Sequence, residues 1–64
     1  MMDVHSEPRL LLRVEEAGHQ LNLGRTVMYE LIRSGRLRSV KVGKLRLIPS
    51  AALVEFVEQL DGVA

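Results

Sequence analysis

Seven basic side chains and one acid stand between Arg25 and Arg46: Arg25, Arg33, Arg36, Arg38, Lys41, Lys44 and Arg46, against Glu30 alone. The whole chain carries only +1, so this +6 stretch is a local concentration of charge. Cations ranged along one side of a scaffold neutralise phosphates and release their counterions. An arginine can also read a guanine edge through two parallel hydrogen bonds. The chemistry this pattern suits is a grip on a nucleic-acid backbone. Basic runs are also common as plain solvated surface, so the elements that carry the charges decide between the two readings.

Other chemistries find less support. Tyr29 invites comparison with the tyrosine nucleophile of recombinases, but such an enzyme needs an Arg/His pocket around the scissile phosphate, which a 64-residue domain cannot build. Tyr29 reads instead as a phosphate or base-edge contact, or as a half-buried packing residue. His5 and His19 have no paired ligand, and the absence of cysteine removes thiolate zinc sites and disulfides alike. Glu15 and Glu16 are explained by the positive end of a helix dipole. No catalytic constellation, metal site or cofactor site is expected, and the chain reads as a non-enzyme.

The elements that position the charges are read from periodicity. Val14, Ala17, Gly18 and Leu21 share one face at helical spacing, with Glu15, Glu16, His19 and Gln20 opposite. Arg13 falls at the cap of this helix and is a poor capping residue. Asn22 tolerates the left-handed geometry of a tight turn, and Gly24 is an acceptable cap for a second helix. From Arg25 to Arg33 the two faces separate cleanly. Val27, Met28, Leu31 and Ile32 form the apolar arc, and Arg25, Thr26, Tyr29, Glu30 and Arg33 the polar one. Gly35 suits the end of that helix. Two short helices joined by a tight turn are the helix-turn-helix pattern.

Beyond Gly35 the period becomes two. Val40 and Val42 alternate with Ser39 and Lys41, Gly43-Lys44 provides a two-residue turn, and Leu45 to Ile48 returns. Lys41, Lys44 and Arg46 project from this hairpin. Pro49 ends it, and Ser50 can cap a last helix with Leu53, Phe56, Val57 and Leu60 on one face.

The predicted architecture is α+β, mostly helical: a helix-turn-helix, a two-stranded hairpin wing and a C-terminal helix. Residues 1–9 are expected to form a flexible tail with Leu10 to Leu12 as a short lead-in, 10–61 the folded domain, and 62–64 a frayed end. The expected core is Leu11, Val14, Ala17, Leu21, Leu23, Met28, Leu31, Ile32, Val40, Ile48, Leu53, Phe56, Val57 and Leu60.

Sixty-four residues make at most one domain, near the lower limit for an independent core. With 47% hydrophobic residues, aliphatic packing has to hold it together. One Phe, one Tyr and no Trp argue against aromatic base-stacking platforms. No apolar run approaches the roughly 20 residues of a membrane span, and the N-terminus does not resemble a signal peptide. A soluble, cytoplasmic protein is expected.

The runs Leu11 to Ala17, Arg25 to Gly35, Val40 to Gly43 and Leu47 to Pro49, in this order and spacing, resemble the excisionase family. Its members are small winged helix-turn-helix DNA-binding domains related in fold to MerR-type regulators. The resemblance covers about Leu11 to Val57. It implies a recognition helix in the major groove of double-stranded DNA and a wing at the adjacent minor groove or backbone. Arg25, Thr26, Tyr29 and Arg33 would then face DNA from the helix, and Lys41, Lys44 and Arg46 from the wing. Arg36 and Arg38 would add phosphate contacts.

The chain departs from the family pattern at several positions. Arg13 and Gly24 stand where Ser or Thr and Ser are frequent, and Asn22 where Gly is. Glu30 and Leu45 stand near positions that are often basic. Glu30 is expected either to accept from a cytosine amino group or to pair with Arg33.

The function expected on this resemblance is that of a recombination directionality factor. It would bind attachment-site DNA cooperatively, bend it, and bias a phage or plasmid integrase toward excision. The alternative is a small regulator of the same fold on an operator. A third reading gives the basic face to protein or RNA. No stretch after Leu60 supplies the several heptads of a coiled-coil dimer, which favours the first reading over a MerR-style regulator.

Overall fold

Leu12 and Ile48 stand opposite each other on paired strands, both buried, and the core is assembled around them. In a computed structural model that describes residues 9–63, with side chains for 9–62, the elements run in the order β1 (Leu11–Arg13), α1 (Val14–Leu21), α2 (Arg25–Arg33), β2 (Val40–Val42), β3 (Leu45–Pro49) and α3 (Ser50–Val63). The tail expected over residues 1–8, and Ala64, lie outside the described residues. The architecture is the α+β, winged helix-turn-helix expected from periodicity, with one addition. The wing is part of a three-stranded antiparallel sheet in the order β1-β3-β2.

The third strand is the Leu10 to Leu12 lead-in, shifted by one residue. It pairs with β3 in the register Leu11↔Pro49, Leu12↔Ile48 and Arg13↔Leu47. The shift matters because a strand exposes alternate residues. Leu12 points into the core and Leu11, expected there, is exposed. Arg9, assigned to the tail, is held beside α1, its Nη1 2.7 Å from Glu16 Oε2.

Both helices of the helix-turn-helix end on a residue at positive φ. Asn22 has φ 60° and ψ 40°, with its own N–H donating to His19 O and the N–H of Leu23 to Gly18 O. Gly35 has φ 82°, with Gly35 N–H donating to Ile32 O and Arg36 N–H to Leu31 O. This pairing satisfies the last carbonyls and stops the helix within one residue. Between them the turn is tight: a Cβ added at Gly18 would lie 2.9 Å from the carbonyl oxygen of Leu23. Gly18 thus lets α1 and the turn into α2 approach closely.

Burial is confined to a smaller body than the helical wheels suggest. Val14, Ala17, Met28, Ile48, Leu53 and Phe56 are buried as expected, with Leu12, Leu37 and Ala52 added. Leu21, Leu23, Leu31 and Ile32 are only partly buried and pack against that cluster; Val40 is also partly buried. Val27, Val57 and Leu60 are exposed. On α3 the buried residues Ala52, Leu53 and Phe56 lie in the first half, while Val54, Val57 and Leu60 are exposed. That helix continues to Val63, where the sequence suggests fraying. Leu37, in the loop between two arginines, is 1% exposed and anchors the connection between α2 and β2.

Candidate nucleic-acid interface

The polar arc of α2 is delivered as the wheel requires. Met28 is buried against α1, and this turns Arg25, Thr26, Tyr29, Glu30 and Arg33 outward, all exposed. Of the apolar arc, Met28 is buried, Leu31 and Ile32 are partly buried, and Val27 is exposed.

The wing places its cations by register. Lys41 stands opposite Arg46 across the β2–β3 ladder, flanked by Val40↔Leu47 and Val42↔Leu45. Directly opposed residues share a face, so the two positive charges confront one another. Like charges in this position destabilise a hairpin by roughly 0.2–1 kcal/mol. A bound anion reverses the sign. Gly43, with φ 61°, makes the turn that carries Lys44 at the tip. Arg46 is further held by a hydrogen bond of 2.9 Å from Nη1 to Ser39 Oγ.

Helix and wing meet in an open cleft of about 440 Å³. Tyr29 lines it from α2, and Lys41, Lys44 and Arg46 from the wing. Two further residues line it that the charge pattern did not mark, Arg13 and Glu15. Tyr29, 39% exposed, forms part of the wall. The cleft is thus lined by four cations, one phenol and one acid, with the apolar Val14 and Leu45 completing it.

The two acids at the start of α1 have different surroundings. Glu16 folds back, its Oε1 accepting from the backbone N–H of Arg13 at 3.0 Å and its Oε2 from Arg9 Nη1 at 2.7 Å. It closes the helix start from the carboxylate side, which is half of a capping box. Glu15 lies in the cleft, with Oε2 3.7 Å from Arg25 Nη1. Arg25 therefore stands at the edge of the helix face with an acid beside it. Both partners are largely exposed, so the pair contributes at most about 1 kcal/mol.

The remaining basic residues lie apart from the cleft. Arg33 and Arg36 are exposed near the end of α2. Arg38 turns toward α3, its Nη2 3.2 Å from Glu55 Oε2. Of the nine positions read as contacts, four share one cleft, three (Arg25, Thr26, Arg33) occupy the helix face beside it, and Arg36 and Arg38 flank the loop above buried Leu37. Glu30 forms no ion pair with Arg33 among the described residues. Arg13 had one sequence signal, its poor fit to a helix cap. Glu15 had none beyond its acidity.

Among the described residues no group of three His, Cys, Asp or Glu stands together as a metal site, and no helix is long and apolar enough to cross a membrane.

Residues 11–61 match the family described as "Helix-turn-helix domain". The chain is similar to a protein named "Probable excisionase" from Saccharopolyspora erythraea, 50% identical over 52 residues, covering 81% of this chain and 53% of that one. It is also similar to a protein named "Excisionase" from Streptomyces ambofaciens, 39% identical over 54 residues, covering 84% of this chain and 87% of that one. The chain spans about half the length of the first of these relatives and most of the second. No solved structure matches it significantly.

Proposed function

The chain belongs to the excisionase family of helix-turn-helix domains, and from that premise we propose that it is a sequence-specific DNA-binding protein that directs site-specific recombination toward excision. The observation that carries this reading is the cleft, where α2 contributes Tyr29 and the wing contributes Lys41, Lys44 and Arg46. A helix of nine residues with an exposed polar face fits the major groove. Cations standing beside that helix fall where the adjoining phosphate backbone would run.

Division of labour is set by chemistry. Arg25, Thr26 and Tyr29 read base edges, and Arg33 lies on the same face. Lys41, Lys44, Arg46 and Arg36 supply phosphate contacts and make binding salt-sensitive. Arg38 joins them on release from Glu55. One module of this size contacts a short site, so high occupancy requires neighbouring copies or an integrase bound alongside. Copies that each bend the duplex a little produce the architectural effect, at an elastic cost of order 1–6 kcal/mol for a substantial bend. Strand cleavage belongs to the integrase, and this chain acts without catalysis of its own.

The test is a mobility-shift titration on attachment-site duplexes with the site placed at permuted positions, then an excision assay with the cognate integrase. Position-dependent mobility and stimulated excision are expected. Tight binding to an operator with no bend and no effect on excision would make the chain a transcription regulator. Absence of binding to any duplex at low salt would remove DNA from the account.

A further inference from the structure

Arg13 occupies a position for which its side chain is unsuited. It precedes α1 with φ −69° and ψ 156°, the extended geometry in which a Ser, Thr, Asp or Asn oxygen accepts a hydrogen bond from the first turn. A guanidinium has no acceptor, and Arg13 makes no such bond. Its positive charge also sits at the positive end of the helix dipole, which disfavours it again. Only its backbone takes part in the cap, donating to Glu16. Its side chain forms no ion pair among the described residues.

What the side chain does instead is line the cleft. It reaches there from β1, while Lys41 comes from β2, Arg46 from β3 and Lys44 from the turn between them. Three strands and one turn therefore bring four cations to one hollow that holds a single acid, Glu15, so a net positive charge remains for an entering anion to offset. We infer that Arg13 is a phosphate ligand of the DNA-bound state, held at a cap position at the expense of fold stability. The inference rests on the DNA-binding reading and names a residue outside the helix-turn-helix and wing. A planar guanidinium lining the cleft suits two parallel hydrogen bonds to one phosphate. The ammonium groups of Lys41 and Lys44 hold neighbouring oxygens as point charges. Residues that break a local rule without local compensation tend to lie at functional sites.

The two roles of position 13 separate in one experiment. Arg13→Ser restores a capping oxygen and removes the cation, Arg13→Ala removes the cation alone, and Arg13→Lys keeps the charge without the planar fork. Each is titrated on a short mixed-sequence duplex from about 50 to 200 mM salt, because a phosphate contact is independent of sequence. Each is also melted in the absence of DNA.

Arg13→Ser is expected to melt about 4–8 °C higher than the unmodified chain. It should bind about tenfold more weakly at low salt. Its salt dependence should flatten by about 0.9 in the slope of log K against log salt. Arg13→Ala should share the binding loss without the thermal gain, and Arg13→Lys should keep the slope while losing part of the affinity. Unchanged affinity and slope in Arg13→Ser would overturn the inference. So would a binding loss accompanied by a lowered melting temperature in both Ser and Ala variants, which would make the role structural. Failure of the unmodified chain to bind would sink the DNA-binding reading as a whole, whereas normal binding indifferent to position 13 sinks this inference alone.

Discussion

Removing Arg25 should weaken specific binding, and neutralising Glu15 should strengthen non-specific binding. The carboxylate of Glu15 lies 3.7 Å from the guanidinium of Arg25. In bulk water that separation corresponds to about 1 kcal/mol of attraction. Both side chains are about 70% exposed, so the net value lies toward the lower part of the 0–1 kcal/mol range of surface pairs. A contact of this size does not hold the fold together. It restrains where Arg25 points, and it places a negative charge in a cleft proposed to hold phosphate.

Arg25→Ala should therefore leave the melting temperature nearly unchanged. It should weaken binding to the cognate site by the worth of a bidentate base contact, about 1–3 kcal/mol, or roughly 5- to 150-fold. On a scrambled duplex the loss should be several-fold at most. Glu15→Gln should act instead on non-specific binding. It removes a repulsion, so affinity for scrambled DNA should rise a few-fold while the ratio of cognate to scrambled affinity falls. Fluorescence anisotropy at fixed salt on both duplexes, with the two single variants and the double variant, measures each term. Equal losses for Arg25→Ala on the two DNAs would refute its assignment to base readout. An unchanged ratio for Glu15→Gln would refute the orienting role of the pair.

The other expected outcomes concern the wing and the core. Lys44→Ala should weaken binding to cognate and scrambled duplexes alike and flatten the salt slope by about one unit, checked by the same titration across salt. Lys41→Thr removes one of two opposed cations and adds a strand-favouring residue. It should raise stability by roughly 0.2–1 kcal/mol in a denaturant melt while lowering DNA affinity. Leu37→Ala empties a site that is 1% exposed and should cost about 2–5 kcal/mol, much of the stability of so small a domain. A thermal melt matching the unmodified chain would show that the loop before β2 is not anchored there.

Much of the molecule was legible because it is built from local rules. The nine residues of α2 separate into two arcs with Met28 at the centre of the buried one, and Gly35 marks the end before any tertiary contact is known. Asn22 and Gly43 mark turns by the same logic, since both need positive φ. What escaped was non-local. A three-residue strand such as Leu11–Arg13 has too few positions for a period, and its partner β3 lies beyond both α1 and α2 in the chain. Three consecutive leucines from Leu10 to Leu12 make the inward one undecidable without the register. Leu37 sits between Arg36 and Arg38 with no apolar neighbour to reveal a face. The charge pattern identified the cations of the helix and wing, but the cleft itself depends on β1, so the charge pattern alone could not bring Arg13 and Glu15 into it.

Two local conflicts in the chain converge on one place. A cation stands at a cap position, and two cations oppose each other across a ladder; either alone would be an ordinary imperfection worth about 1 kcal/mol or less. Both open into the cleft beside Tyr29. In a domain without disulfides, such losses are a sizeable share of net stability. On the proposed reading, a polyanion in the cleft offsets the charge of both, the opposed Lys41 and Arg46 and the Arg13 cation at the positive helix end, while the cap still lacks its acceptor. The binding free energy then includes the relief of repulsion already stored in the fold. By linkage, the domain should be markedly more stable on DNA than off it. The acids of α3, Glu55, Glu58 and Asp61, stand on a helix that carries no basic residue of its own, and only Glu55 is paired, with Arg38, among the described residues. They oppose approach of DNA on that side, so the charge distribution that costs stability in the cleft also sets the orientation in which the domain arrives.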